Sequence, residues 1–227
     1  NIGTSVLCSQ YLGARMHKNM VQVVGVSLIL NLVFGLFVSA ILHYGATSLL
    51  SMMGLRPELM EYGVSYMKIV GVFAFFQAIS LTISASLRSA NKAVYPMMVT
   101  VVVNILNIIG NYSLIFGKFG MPALGVEGAA ISTAFARGVS MVILFVILFR
   151  KHIPRFPLSY FCPFPFVELK NLLKIGVPSA GENMSYSFSQ VVLTYFINML
   201  GNEALATRTY VVNIVMFVYL FAIAMAQ

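Results

Sequence analysis

Apolar residues run in long stretches along this 227-residue chain, and short polar segments separate them. Most stretches are close to the length of about 20 residues that an α-helix needs to cross a bilayer. The chain lacks the alternation of polar and apolar residues, in segments of about ten, that a transmembrane β-barrel would show. The pattern therefore predicts an all-α polytopic membrane protein.

This pattern predicts seven helices. Only the C-terminal part of the first is expected, because the chain begins inside an apolar stretch. We therefore expect an interior piece of a longer protein. Residues 150–175 form the one extended connection: its prolines predict an irregular first half, and Phe166–Ile175 has the spacing of a short interfacial helix. The predicted helices cover about residues 1–14, 20–44, 62–87, 94–116, 126–149, 178–199 and 208–227.

Composition supports a membrane protein. Only 9% of the residues are charged and 59% are hydrophobic, whereas a soluble domain carries about 25% charged residues. The net charge of +8 is scattered between apolar spans rather than gathered in a stripe with aromatics, so we expect no nucleic-acid partner. No metal-binding motif, disulfide pattern, phosphate loop or nucleophile–base pair is present, so we expect neither an enzyme nor a metal site.

Lysine and arginine divide unequally between the two sides of the predicted bundle, which orients it because cytoplasmic loops are enriched in these residues. The side with nine of them is predicted to be cytoplasmic, and three lie on the other side. The nine are Arg15, Lys18, Arg88, Lys92, Arg150, Lys151, Arg155, Lys170 and Lys174, and the three are Arg56, Lys118 and Arg208.

Two predicted helices carry a polar face. Because polar side chains inside a bilayer are costly, they tend to face a bundle interior or a water-filled cavity. We expect these faces to line a substrate cavity; the alternative is that they hydrogen-bond neighbouring helices. The candidates on 178–199 are Glu182, Asn183, Tyr186, Gln190 and Thr194, and those on 94–116 are Asn104, Asn107 and Asn111, with Gln77 as a weaker candidate from 62–87.

Four segments together resemble signatures of the MATE (multidrug and toxic compound extrusion) family, in the same order and with the same helix spacing. They read GTSVLCSQYLGAR, LRSANKAVYPM, NIIGNYSLIFGKFGMPALGVEGAAIST and LLKIGVPSAGENM. The resemblance implies a twelve-helix antiporter bundle of two lobes. Residues 1–149 would then hold helices 2 to 6 of the first lobe, 150–175 the cytoplasmic linker, and 176–227 the first two helices of the second lobe.

The same resemblance implies a cation site in the first lobe. The family pattern Asn-x-x-x-Asp reads Asn107-x-x-x-Asn111 here, and the threonine of its GAAxxT pattern is Thr133. The acid expected on helix 1 lies outside this chain. Because Asn111 stands where the family pattern has Asp, the site would hold one carboxylate fewer. Both Na⁺ and H⁺ remain open as the coupling ion, with no other cofactor.

Glu182 admits two interpretations. If a helix begins near Pro178, the helix dipole stabilises an anion in its first turns by about 0.3–1 kcal/mol. A structural carboxylate at the cytoplasmic end is then as reasonable as a proton-coupling group.

We therefore expect a cation-coupled efflux antiporter for a cationic or amphipathic small molecule. It would be a monomer that spans the bacterial plasma membrane several times. One alternative is a related flippase for lipid-linked precursors, which needs a basic cavity for which only Arg88, Arg137 and Lys68 are available. The other is a pore or structural protein without ion coupling.

Overall fold

The computed structural model describes residues 2–52, 57–153, 160, 164–199, 208 and 210–220, and within these ranges it is helical without a strand. The prediction of an all-α protein is confirmed. The helices are α1 (Ile2–Gly13), α2 (His17–Tyr44), α3 (Ala46–Met52), α4 (Pro57–Val72), α5 (Ala74–Ser89), α6 (Val94–Phe116), α7 (Gly125–Ile147), which runs into a π-helical turn at Leu148–His152, α8 (Phe166–Met199) and α9 (Tyr210–Leu220).

Three of the described helices are long and apolar enough to cross a membrane: α2, α6, and α7 with its extension to Arg150. A fourth span results if α4 and α5 count as one bent element. The predicted spans at 178–199 and 208–227 do not meet this test of length and hydropathy. Polar side chains lower the mean hydropathy of α8, and α9 is described over only Tyr210–Leu220.

The predicted single helix over 62–87 is wrong in one respect, because α4 and α5 meet at an angle of 46°. Phe73 at the break has φ −98° and ψ 14°, outside the helical range. Two residues earlier, Gly71 lies against α2, where a Cβ atom would be 2.7 Å from the Cβ of Leu42. The bend occurs beside this close approach, and the hydrophobic pattern of residues 62–87 gives no sign of it.

A second difference is that 166–175 and 178–199 form one helix rather than two. Pro178 lies inside α8. Proline removes one backbone N–H donor and strains the preceding turn, yet helical backbone continues on both sides of it. The predicted helix start near Pro178 is therefore wrong, because one lost hydrogen bond did not end the helix.

The chain divides into two compact units, residues 1–176 and 177–227. The core of the first unit is formed where α1, α2, α5 and α7 pack together. Its most deeply buried apolar side chains, each at most 2% exposed, are Cys8, Val23, Val24, Val26, Ile83, Leu87, Leu144 and Leu148. This core holds α7, the helix against which α6 packs to form the candidate cation site.

Candidate cation and substrate sites

A tight turn aligns α6 and α7 as an antiparallel pair. Gly117 ends α6 in the left-handed conformation, with φ 65°, which glycine adopts without a steric penalty. The chain returns so closely that the Leu124 N–H donates to the Leu114 carbonyl oxygen at 2.8 Å. The two helices therefore start their contact at a fixed register.

Small residues then bring the two backbones together. Gly128 of α7 lies against Leu114, where a Cβ atom would be 2.5 Å from the carbonyl oxygen. About one turn further along α7, Ser132 lies against Gly110. The Ser132 hydroxyl donates to the carbonyl oxygen of Asn107 at 3.2 Å. This close packing brings the polar side chains of α6 within reach of α7.

Asn107, Asn111 and Thr133, which we call the amide cluster, lie together as the resemblance implied. The Asn111 amide donates to Asn107 Oδ1 at 3.1 Å, and the Asn107 amide donates to Thr133 Oγ1 at 3.4 Å. The Thr133 hydroxyl completes the series by donating to the Ala129 carbonyl at 2.8 Å. Hydrogen bonds run in one direction, from Asn111 through Asn107 and Thr133 to Ala129. The amide oxygen at the start of this series therefore accepts no hydrogen bond within it.

The start of the series is Asn111 Oδ1, which is buried and has no hydrogen-bond partner among the described residues. A buried, unpaired carbonyl oxygen costs about 1–3 kcal/mol, so this atom is poised to accept a ligand. Hard cations take oxygen ligands from amide and hydroxyl groups as well as from carboxylates. The part of the chain that the structure describes has no cluster of three or more His, Cys, Asp or Glu side chains suited to a metal.

Two predicted cavity residues of the first unit lie apart from this cluster. Asn104, one turn before Asn107 on α6, is exposed, and so is Gln77 on α5. Neither side chain makes a hydrogen bond within the described residues. The geometry therefore separates a hydrogen-bonded pair of asparagines on α6 from a third that is free.

The polar face of α8 is organised locally. The Asn183 amide donates to the Ser179 carbonyl at 2.8 Å, and the Thr194 hydroxyl donates to the Gln190 carbonyl at 2.6 Å. Asn183, Tyr186 and Thr194 are exposed, with 66% of Tyr186 accessible, and Gln190 is half-buried. These side chains share one face of the helix, and their role in a cavity stays a prediction.

Glu182 is exposed on the same helix. Because α8 begins at Phe166 rather than near Pro178, Glu182 lies 16 residues into the helix. The helix dipole acts within the first turn, so it does not stabilise this carboxylate. The electrostatic argument for a purely structural role of Glu182 is lost with the predicted helix start.

Arg208 is a functional candidate that the sequence pattern did not single out. It counted as a loop cation, but its guanidinium donates to Gln190 Oε1 at 2.8 Å and also to Thr194 Oγ1. It therefore puts a positive charge on the polar face of α8. One feature of the sequence could have indicated this contact. Arg208 begins the predicted helix 208–227, which directly follows the helix that carries the polar face.

An apolar cavity of about 560 Å³ lies between α4, α5 and α7. None of the amide cluster lines it. Its walls are Ile69, Phe73, Phe76, Ile131, Ala134, Phe135, Gly138, Val139, Met141, Val142 and Ile143.

Apolar helices of membrane-spanning length and a half-buried polar cluster between two of them define an integral membrane protein with an intramembrane polar site. The chain belongs to the MATE family. The MatE family model matches residues 1–113, which include Asn107 and Asn111 of the amide cluster.

Relatives and solved structures agree with this family. The uncharacterized transporter YisQ of Bacillus subtilis is 42% identical over 99% of this chain and 50% of its own length. A probable multidrug resistance protein, NorM of Thermotoga maritima, is 29% identical over 94% of this chain and 46% of its own. A crystal structure of MATE in the bent conformation matches 95% of this chain and 48% of its own, with a TM-score of 0.85 and 26% identity. The chain thus spans about half the length of these proteins.

Proposed function

We propose that the full-length protein is a cation-coupled efflux transporter. It would export cationic or amphipathic small molecules across the bacterial plasma membrane by alternating access. The observation that carries the proposal is the amide cluster, in which a buried oxygen of Asn111 has no partner among the described residues. The likeness to a probable multidrug resistance protein of Thermotoga maritima supports the substrate class.

The amide cluster favours Na⁺ over H⁺ as its own ligand. Amide and hydroxyl oxygens offer lone pairs to a metal cation, but these neutral side chains do not gain or lose a proton near neutral pH. Asn111 Oδ1 has no partner among the described residues. Asn107 Oδ1 and Thr133 Oγ1 each accept one hydrogen bond and keep a second lone pair for a cation. Proton coupling would need a carboxylate, and Glu182 is the one acid on the polar face of α8.

Coupling requires that the ion binds one state of the transporter better than the other. A cation at the amide cluster would tie α6 to α7, because it would be coordinated by oxygen atoms of both helices. Its release would leave Asn111 Oδ1 unpaired again, so the two conditions of the site differ in free energy. We propose that this difference drives the change of access in the first lobe.

The proposal is tested with the full-length protein in inverted membrane vesicles, by following the uptake of a fluorescent organic cation. We expect uptake to fall when the Na⁺ gradient is collapsed, and Asn107→Ala to lower the Na⁺-dependent rate at least tenfold, since Asn107 bonds both other members of the cluster. Thr100→Ala is the matched control, because it removes an exposed hydroxyl of the same helix that bonds only the Pro96 carbonyl. Uptake that persists after both the Na⁺ and H⁺ gradients are collapsed would overturn the coupled mechanism.

A further inference from the structure

The first turns of α8, residues 166–176, have an inner side that fixes their rotation. Glu168 is only 4% exposed, and Leu172 is 5% exposed. The Glu168 carboxylate accepts hydrogen bonds from the Tyr11 hydroxyl at 2.7 Å and from the Asn19 amide at 2.8 Å. Two partners on different helices hold this segment against α1 and α2 in one orientation.

The opposite side of the same segment, which we call the linker face, mixes large apolar side chains with lysines. Phe166 and Val167 are each 70% exposed, and Leu173 is 41% exposed. Lys170 and Lys174, four residues apart, are exposed between them. Because Glu168, the one acid of the segment, is turned inward, the linker face carries two positive charges and no carboxylate.

A shallow, open groove of about 540 Å³ lies on this face, lined by Phe166, Leu169, Lys170, Leu173 and Lys174. Its walls are apolar apart from the two ammonium groups. Such a lining suits a ligand that joins an anionic head to an apolar chain. A soluble anion would use the charges but would leave the apolar side chains in water.

We propose that the linker face binds an anionic phospholipid of the cytoplasmic leaflet. That leaflet carries a negative surface potential, and the segment belongs to the side with nine of the counted Lys and Arg residues. Helices that lie in the interface combine basic side chains with exposed apolar ones in this way. Glu168 is a positioning residue for this site, because its two hydrogen bonds turn the lysines outward.

The test measures the binding of a phosphatidylglycerol with a fluorescent acyl chain to the full-length protein in uncharged detergent. For the double variant Lys170→Gln/Lys174→Gln we expect about thirtyfold weaker binding, from about 1 kcal/mol per basic residue near an anionic surface. Lys118→Gln is the matched control, since it removes an exposed lysine from the opposite side of the bundle. It should leave the binding unchanged.

Phe166→Gln distinguishes a lipid from a soluble oxyanion, because it changes only the apolar part of the face. We expect it to weaken phosphatidylglycerol binding. We also expect inorganic phosphate not to displace the lipid. Displacement by phosphate, binding by the double variant equal to that of the wild type, or an equal loss in Lys118→Gln would each overturn the proposal. None of these measurements depends on transport.

Discussion

The α6–α7 pair and the polar face of α8 use the same residue types in opposite ways. On α6 and α7, amide and hydroxyl groups bond from one helix to the other, as Asn107 does with Thr133. On α8, Asn183 and Thr194 turn back to their own helix. The first arrangement is a packed site with a fixed geometry, and the second is an open surface along a helix.

The difference arises from backbone spacing rather than from the polar residues. Gly110 and Gly128 let α6 and α7 approach until side chains such as Asn107 and Ser132 reach the other helix. In α8, no other described part of the chain comes within 4 Å of where a Cβ would be at Gly176 or Gly181. A stripe of amides therefore becomes a site only where small residues bring a second helix to it.

The largest expected effect tests this difference by adding one methyl group to each region. Gly128→Ala places a Cβ atom 2.5 Å from the Leu114 carbonyl oxygen, which must push α6 and α7 apart. Overpacking of this kind costs about 1–3 kcal/mol. We expect a lower midpoint of thermal unfolding and a loss of Na⁺-dependent transport in this variant.

Gly181→Ala is the counterpart in α8. With open space at this position, the variant should be neutral or more stable by up to about 1 kcal/mol, because alanine favours a helix more than glycine does. If both variants were equally destabilised, the α8 face would be as closely packed as the α6–α7 pair, and the comparison would fail.

The sequence was sufficient to predict the helical class, the bounds of α6 and, through the resemblance, the meeting of Asn107, Asn111 and Thr133. These features rest on local periodicity or on a motif. The bend at Phe73 lies beside the contact of Gly71 with α2, and the inward turn of Glu168 depends on partners in α1 and α2. The passage of α8 through Pro178 was missed for another reason, because a single proline does not always end a helix. Tyr11 and Glu168 are 157 residues apart, and no spacing rule along the chain connects them.

The next largest effect concerns Glu182. A variant at this position tests whether the exposed polar face of α8 takes part in transport or is only solvated. We expect Glu182→Gln to lower the export rate about tenfold, equivalent to one charge-assisted contact of about 1.5 kcal/mol, while the folded yield changes little. Glu182 is exposed and lies beyond the reach of the helix dipole, so the prediction assigns it to binding of the coupling ion or of the substrate.

The control for Glu182 measures the export rate and the yield of folded protein on the same preparations. Ser187→Ala is the matched variant: its hydroxyl bonds only the Asn183 carbonyl on the same helix. If Glu182→Gln lowered rate and yield in equal proportion, the carboxylate would be structural after all.

The smallest expected effect comes from Arg208, the cation that lies against the α8 face. Its guanidinium bonds Gln190 and Thr194, so a cationic substrate at this face would meet a like charge. Across about 8 Å of water-like surroundings the repulsion is about 0.5 kcal/mol, or about twofold in affinity. Arg208→Gln should therefore lower the KM for an organic cation about twofold with kcat unchanged, and Arg208→Lys should leave KM as it is. A higher KM in Arg208→Gln would mean that the arginine serves the substrate directly, and the α8 face would then be a formed site like the amide cluster.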